Sequence, residues 1–558
     1  MNKNKNTSSK SNSEESNKLE IINLQKKVVD FMKRGEIDKL KEIYEKQILL
    51  GLEHYETFAN LGAINWMKED YDNVKVFINK ALELKPDHAG ALNTLGNILD
   101  REGSVEEAIH AFEKSIKINP HDSNALYNLA NSKSKLGNYN DAISLYKKSI
   151  KLNPNFIQSY NNLAKILEKL SYSEEAENYY TKTIKINPNF SAGYNNLGNI
   201  KQSKGLLEEA KLLYLKAIDK NPNEDDAIYN LGNVFKKEKN YTKSIEYYQK
   251  AININNLNNN AKLELITTLA VICDWYQLDQ YKKWITEIGI DSYAVSPLEL
   301  LHLDQDPKRQ MKRAQNFWSQ NYKRDQINTK YKRKDKIHIG YFSADFRTHP
   351  VSMLLSRILE LHNRDQFKII LYSFIPEEVN DKYTKRIKSA VCSFRNLSKL
   401  NDDEAFNLIQ KDNLDFAIDL MGHTKNNRLQ LFSYRLAKIQ LTYLGYPGTT
   451  GSQSIDYIVA DKTVIPQKSE RNFSEKIAYM PNCFMSFDNT IKISKKKYTK
   501  KELNLDENQF IFTAFHKSQK ITRKEFNIWM NILHNVPDSV LWLRDMNSQA
   551  ELNLKKEF

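Results

Sequence analysis

PNFSAGYNNLGNIKQSKGLLEEAKLLYLKAIDKNP, residues 188–222, carries the pattern on which the reading of the fold turns. Pro188 and Pro222 stand 34 residues apart, and Pro86, Pro120 and Pro154 continue the same spacing upstream. The Leu197-Gly198 pair recurs as Leu61-Gly62, Leu95-Gly96, Leu129-Ala130, Leu163-Ala164 and Leu231-Gly232. Further along each period comes a second small residue (Ala108, Ala142, Ala176, Ala210 or Ser244), then one helical turn later an aromatic: Phe112, Tyr146, Tyr180, Tyr214 or Tyr248. Self-similarity at this period marks a repeat of two antiparallel helices. The small residues let the helices approach, the aromatics fill the space between them, and each proline stops a helix because it has no N–H to donate.

The period is that of tetratricopeptide repeats, and six of them fit residues 55–256, with Asn256 in the place of the last proline. Residues 19–54 read as a divergent helical cap and residues 1–18, rich in Asn, Ser and Lys, as a disordered segment. Stacked repeats form an α-solenoid with a groove suited to another polypeptide. One column in that groove is Asn60, Asn128, Asn162, Asn196 and Asn230, each directly before the repeat leucine, with Thr94 interrupting it. A carboxamide offers a donor and an acceptor to an extended peptide, and it can equally bond within its own repeat. Both readings stand at this point.

The chain has 558 residues, 40% of them hydrophobic, which is enough for several folded cores. Its net charge of +14 arises from lysines scattered among 69 acidic residues, so it reads as a solubility feature and not as a nucleic-acid footprint. Two basic runs, Lys330 to Lys336 and Lys495 to Lys501, fall at expected domain junctions and read as linkers, with phosphate or anionic lipid as the sharper alternative. Cys273, Cys392 and Cys483 lack disulfide or zinc spacing. No apolar run nears the roughly 20 residues of a membrane span. A cytoplasmic protein without membrane insertion is expected.

Residues 257–335 read as a helical linker, after which the period changes. β-Branched and aromatic runs at 337–342, 367–374, 416–420, 439–444 and 457–459 alternate with helical stretches, the signature of an α/β domain built on a parallel sheet. Polar motifs follow the strand ends: Asp345-Phe346-Arg347-Thr348-His349-Pro350, Gly422-His423-Thr424, and Leu444-Gly445-Tyr446-Pro447-Gly448-Thr449. Ligands of such sheets bind there.

Taken in order, these motifs resemble the nucleocytoplasmic O-linked N-acetylglucosamine transferases and their plant and bacterial relatives. The resemblance takes in Val271-Ile272-Cys273-Asp274-Trp275, Asn427-Arg428-Leu429, Asp456-Tyr457, Ser474-Glu475-Lys476 and Val540-Leu541-Trp542-Leu543. It implies a GT-B fold of two Rossmann-like lobes, the first over 336–495 and the second begun at 496–558 and truncated. The implied activity moves a sugar from a nucleotide diphosphate to a Ser or Thr hydroxyl of an extended polypeptide acceptor, with inversion. UDP-N-acetylglucosamine is the expected donor, with no metal and no other cofactor. His349, Asp412 and His423 are the implied catalytic candidates, and Lys520 with Gly445, Tyr446, Pro447, Gly448 and Thr449 the implied donor-binding group. The chain departs from the family pattern at Asn413, at Arg435-Leu436-Ala437-Lys438 and at Tyr443. Asp304-Gln305-Asp306 matches a metal-binding Asp-x-Asp but precedes Pro307 outside the expected sheet, so it is discounted. A truncated donor lobe implies an isolated chain with little activity, completed by a separately encoded C-terminal lobe. The alternatives are a non-catalytic protein-binding adaptor and an O-fucosyltransferase using GDP-fucose.

Overall fold

The computed structural model describes residues 6–170, 172–291, 293–322, 334–376 and 379–558. Residues 330–333 of the first basic run and residues 1–5 lie outside the described residues. The chain divides into two compact units, Met1–Pro222 and Asn223–Phe558. This division falls inside the expected six-repeat block, whose last helix pair belongs to the second unit.

The first unit is helical throughout. Its opening helix runs Asn6–Arg34, correcting the expectation of disorder to residue 18, because neither proline nor glycine interrupts the stretch before Gly35. Gly35, at φ +67°, ends it. Five helix pairs follow, from Tyr55–Met67 with Tyr71–Leu84 to Ser191–Ser203 with Leu207–Lys220. Every second helix ends two residues before its proline, at Leu84, Ile118, Leu152, Ile186 and Lys220. The Leu-small pairs pack as their chemistry demands. A Cβ on Gly96 would come 2.5 Å from the Phe112 ring, and one on Gly198 2.6 Å from Tyr214. The rings of Phe112, Tyr146, Tyr180 and Tyr214 are fully buried. The tyrosine hydroxyls stay satisfied, Tyr180 donating to Glu168 at 3.1 Å and Tyr214 to Asn199 at 2.8 Å.

The second unit opens with the pair Asp225–Lys237 and Tyr241–Ile254. Its second helix stops at Ile254 although Asn256 replaces proline, with the Asn255 amide donating to Asp225 at 2.9 Å. Helix Asn259–Val271 follows, then short helices up to Pro307–Asn321. Among the described residues nine strands come next: β1 Ile337–Ser343, β2 Phe367–Ser373, β3 Ser393–Asn396, β4 Leu414–Asp419, β5 Ala437–Thr442, β6 Tyr457–Ala460, β7 Lys476–Tyr479, β8 Phe510–Ala514 and β9 Ser539–Leu543. The first seven form one parallel sheet in the order β3-β2-β1-β4-β5-β6-β7, as expected of an α/β domain. Apolar clusters cover both faces, one around Phe342, Tyr372, Leu414 and Phe432, the other around Tyr341, Phe346, Leu355 and Ile369. β8 and β9 form a separate parallel pair. Among the described residues no helix is long and apolar enough to cross a membrane.

The Val271-to-Trp275 motif acquires a physical role here. The last carbonyls of a helix have no partner within it, and those of Asn259–Val271 are met from far along the chain. Ser518 Oγ and the Asn547 amide donate to the Val271 carbonyl at 2.7 and 3.0 Å, and the Asn553 amide to Ile272 at 2.8 Å. Trp275 Nε1 donates to the Ile521 carbonyl at 3.2 Å, and its ring packs with Cys273, Phe526, Ala550 and Leu554. Residues 510–558 are thus clasped to the end of that helix.

Candidate functional site

Strand order reverses between β1 and β4, which pair with Phe342 opposite Asp419. Beyond the carboxyl ends of strands at such a reversal lies the ligand crevice of an open parallel sheet. Residues 344–349 leave the end of β1, 420–425 the end of β4 and 443–451 the end of β5.

The β4 and β5 loops are locked together by glycine. A Cβ on Gly445 would lie 1.7 Å from the Leu420 carbonyl oxygen, so the two backbones touch. Gly422 has φ +52°, and a Cβ there would lie 2.4 Å from Cβ of Tyr446. Between them sits Asp419, buried, accepting from the N–H groups of Met421 at 3.1 Å and Gly422 at 2.7 Å and from the Thr442 hydroxyl at 3.1 Å. Loss of water outweighs these donors and pushes its carboxyl up to about 6.

His423 is 3% exposed, its ring held edge-to-face by Phe317 at 5.3 Å and Tyr446 at 5.2 Å between centroids. Its Nε2–H donates to the Thr450 carbonyl at 2.8 Å, which leaves Nδ1 as a lone-pair acceptor, buried and unpaired. Burial pushes this histidine down to about 4, so the ring is neutral at physiological pH.

His349 caps helix Pro350–Leu361, whose Pro350 suits the first helical position. Its Nδ1 accepts from the Val351 N–H at 3.3 Å and lies 3.5 Å from Oδ2 of Asp345, itself buried after β1. The side chain is 37% exposed. With Nδ1 turned toward the helix and Asp345, Nε2 is the nitrogen left to meet a ligand.

Asp412 does not join this group. Its backbone carbonyl is bound to His338 Nδ1 at 2.7 Å, at the opposite, amino end of β1. At ~3.3 Å per residue that backbone lies on the order of 15 Å from the strand's carboxyl end. The carboxylate is held by Arg395 at 2.9 and 3.2 Å and by the Tyr372 hydroxyl at 2.8 Å. It is a structural ion pair between helix Asp402–Asp412 and the sheet.

Thr449 is likewise committed. Its hydroxyl donates to Glu475 at 2.6 Å and accepts from the N–H groups of Gly451 and Ser474. Glu475, of the Ser474-Glu475-Lys476 motif, also accepts from the Thr450 N–H at 2.7 Å and from its hydroxyl. Its burial and its bonds to the Thr449-Thr450 pair arise from the fold and leave no local signal in the sequence. Gly448 packs under Tyr446, where a Cβ would lie 2.9 Å from the phenol oxygen, and Pro447 continues the same turn. Lys520 ends the turn Ser518–Lys520 on the clasp. It is exposed, and its charge bears on half-buried His302. No hydrogen bond or ion pair among the described residues joins it to the switch-point loops. Asp304 and Asp306 are engaged by Arg309 at 2.6 and 3.0 Å, and Asp304 also by buried Arg313 at 3.2 Å. The Asp-x-Asp string is therefore an arginine anchor.

The asparagine column bridges repeats. Asn60 donates to the Tyr44 hydroxyl at 3.1 Å, Asn128 to Asn93 at 3.1 Å, Asn162 to Tyr127 at 3.1 Å and Asn131 at 3.0 Å, and Asn196 to Asn161 at 2.9 Å. Each partner precedes the repeat of its asparagine, which corrects the own-repeat reading and commits one amide donor of each. The side chains remain half-exposed, as does Asn230 on the first helix of the second unit.

Residues 310–498 and 488–558 match the profile of Glycosyl transferase family 41. Residues 55–88, 89–122, 123–156, 145–178, 191–224 and 226–256 match tetratricopeptide repeats. The chain is 33% identical over 225 residues to a probable UDP-N-acetylglucosamine–peptide N-acetylglucosaminyltransferase, SEC, of Arabidopsis thaliana, a match covering 39% of this chain and 23% of that protein. It is 32% identical over 208 residues to the SPINDLY counterpart of Oryza sativa subsp. japonica, covering 36% and 22%. The matched stretch thus spans under a quarter of the length of these curated relatives. A solved O-GlcNAc transferase variant from Thermobaculum terrenum aligns with 72% of this chain and 71% of its own at 21% identity and a TM-score of 0.47. Residues 310–558 of this tetratricopeptide-repeat chain are thus similar in sequence to glycosyl transferase family 41.

Proposed function

We propose that the chain transfers a sugar from a nucleotide diphosphate donor to a Ser or Thr hydroxyl of an extended polypeptide, with inversion and without a metal, in the cytoplasm. The observation that carries this reading is the Asp345–His349 pair beside the sheet's strand-order reversal, in a region of glycosyltransferase sequence. Two partners compete for His349 Nδ1. The Val351 N–H requires a lone pair there, whereas Asp345 requires a proton. Turning toward Asp345 moves the proton to Nδ1 and leaves Nε2 with the lone pair a general base needs. The acceptor hydroxyl then gives its proton to Nε2 as its oxygen bonds to the anomeric carbon, and the nucleotide diphosphate departs with the pair of electrons of the broken bond.

His423, neutral and fixed, positions the β5 loop through Thr450 and presents Nδ1 as an acceptor. Of the donor-binding candidates, Lys520 alone carries a charge to meet a diphosphate. The repeats supply the acceptor-binding surface, the half-exposed asparagines contributing contacts to peptide backbone. Calorimetry with UDP-N-acetylglucosamine and GDP-fucose, followed by mass spectrometry of a Ser/Thr peptide after prolonged incubation, tests the reading. Preference for the UDP sugar and a peptide heavier by one N-acetylhexosamine are expected. A preference for GDP-fucose would reassign the donor, and the absence of both binding and transfer would leave a protein-binding adaptor.

A further inference from the structure

Between β7 and β8 the chain runs from Met480 to Tyr498 without helix or strand. Its first part is pinned to the sheet domain. The Tyr443 hydroxyl donates to the Phe484 carbonyl at 2.8 Å, the Phe484 N–H to Asp461 at 3.0 Å, the Ser486 hydroxyl to the Leu354 carbonyl at 2.9 Å, and Arg386 pairs with Asp488. From Lys492 to Tyr498 no hydrogen bond or ion pair ties the segment to the rest of the protein among the described residues, and every residue is exposed. Lys492, Lys495, Lys496 and Lys497 have no acidic partner among the described residues. Interleaved with them are bare apolar side chains: Ile493 is 91% exposed and Phe487 70%, with Ile491 and Tyr498 also exposed.

Single exposed apolar residues are ordinary, but such a run beside unpaired lysines leaves two kinds of surface unanswered. A nucleic acid would answer the lysines and leave the isoleucines in water, because aliphatic chains give bases nothing to stack on. A peptide of acidic residues alone does the same. An anionic bilayer surface answers both, drawing the lysines by its negative potential and taking isoleucine, phenylalanine and tyrosine into the headgroup boundary. We propose that residues 485–498 form a contact surface for anionic membranes, independent of the transfer reaction and without insertion of a helix.

Co-sedimentation of the full chain with vesicles of phosphatidylcholine, alone or mixed with phosphatidylserine, tests this. Binding to the mixed vesicles only, weakening with salt, is expected. At about fivefold per lysine, the triple variant Lys495→Gln, Lys496→Gln, Lys497→Gln is expected to lose on the order of 100-fold in affinity. Ile491→Ser with Ile493→Ser should also weaken binding at unchanged charge. These positions are exposed, and unchanged circular dichroism verifies that the variants fold. Equal binding to neutral vesicles, no binding to either, a triple variant that binds like the parent, or a single-stranded oligonucleotide that outcompetes the vesicles would each overturn the proposal.

Discussion

Burial moves Asp419 and His423, four residues apart, in opposite senses while favouring the neutral form of both. His423 falls from 6.5 to about 4. The unfolded chain then binds more protons in that window, so stability is fully present above pH 6.5 and is lost as pH falls toward 4, by about 3 kcal/mol in all. Asp419 rises from 3.8 to about 6. Here the folded chain keeps its proton longer, so stability present below 3.8 is lost as pH rises toward 6, also by about 3 kcal/mol. Across about pH 4 to 6 the two slopes oppose each other. Urea midpoints of His423→Gln should fall as pH rises through this window and those of Asp419→Asn should climb; parallel curves for both variants would reject the pairing. For His349→Ala, transfer under saturating substrate is expected to drop about 10²- to 10⁴-fold. A drop confined to peptide affinity would make His349 a binding residue instead. The sequence placed both histidines in loops that follow strands, whereas Asp412 entered only through the family resemblance. Asp412 precedes β4, and its capture by Arg395 depends on the adjacency of β2 and β3, which no local pattern records.

At the scale of elements, periodicity carried most of the information. Helix ends, small-residue seams and buried aromatics of the repeats follow from a 34-residue spacing, and parallel strands follow from apolar runs between helices. What periodicity does not carry is the partner of each exposed-face polar group. Asn128, Asn162 and Asn196 read as a peptide ladder, yet their amides tie neighbouring repeats. Replacing all three by alanine is therefore expected to lower unfolding stability by about 4 kcal/mol, at about 1 kcal/mol for each of the four bonds they donate. Unchanged affinity of this triple variant for an unstructured Ser/Thr-rich peptide would reject their acceptor role. The Gly445 contact is stricter. Gly445→Ala must displace the Leu420 backbone, and a loss of about 3 kcal/mol or more is expected by thermal unfolding. A melting temperature within a degree or so of the parent would show that the β4 and β5 loops are not locked as described.

For the whole molecule, the sequence could not disclose that residues 271–275 and 518–554 serve one another, since some 250 residues separate the ends of each bond. Trp275→Ala removes both the indole donor and its ring packing, and a cost of about 3–5 kcal/mol is expected. Limited proteolysis should then cut within residues 510–558 before the seven-stranded sheet. The reading of function rests on ligands meeting the loops where strand order reverses. Hydrogen–deuterium exchange of the chain with and without saturating UDP-N-acetylglucosamine and a Ser/Thr peptide reports this directly. Slowed exchange concentrated in residues 344–350, 419–424 and 443–451 is the expected result, whereas protection elsewhere with these three segments unchanged would contradict it.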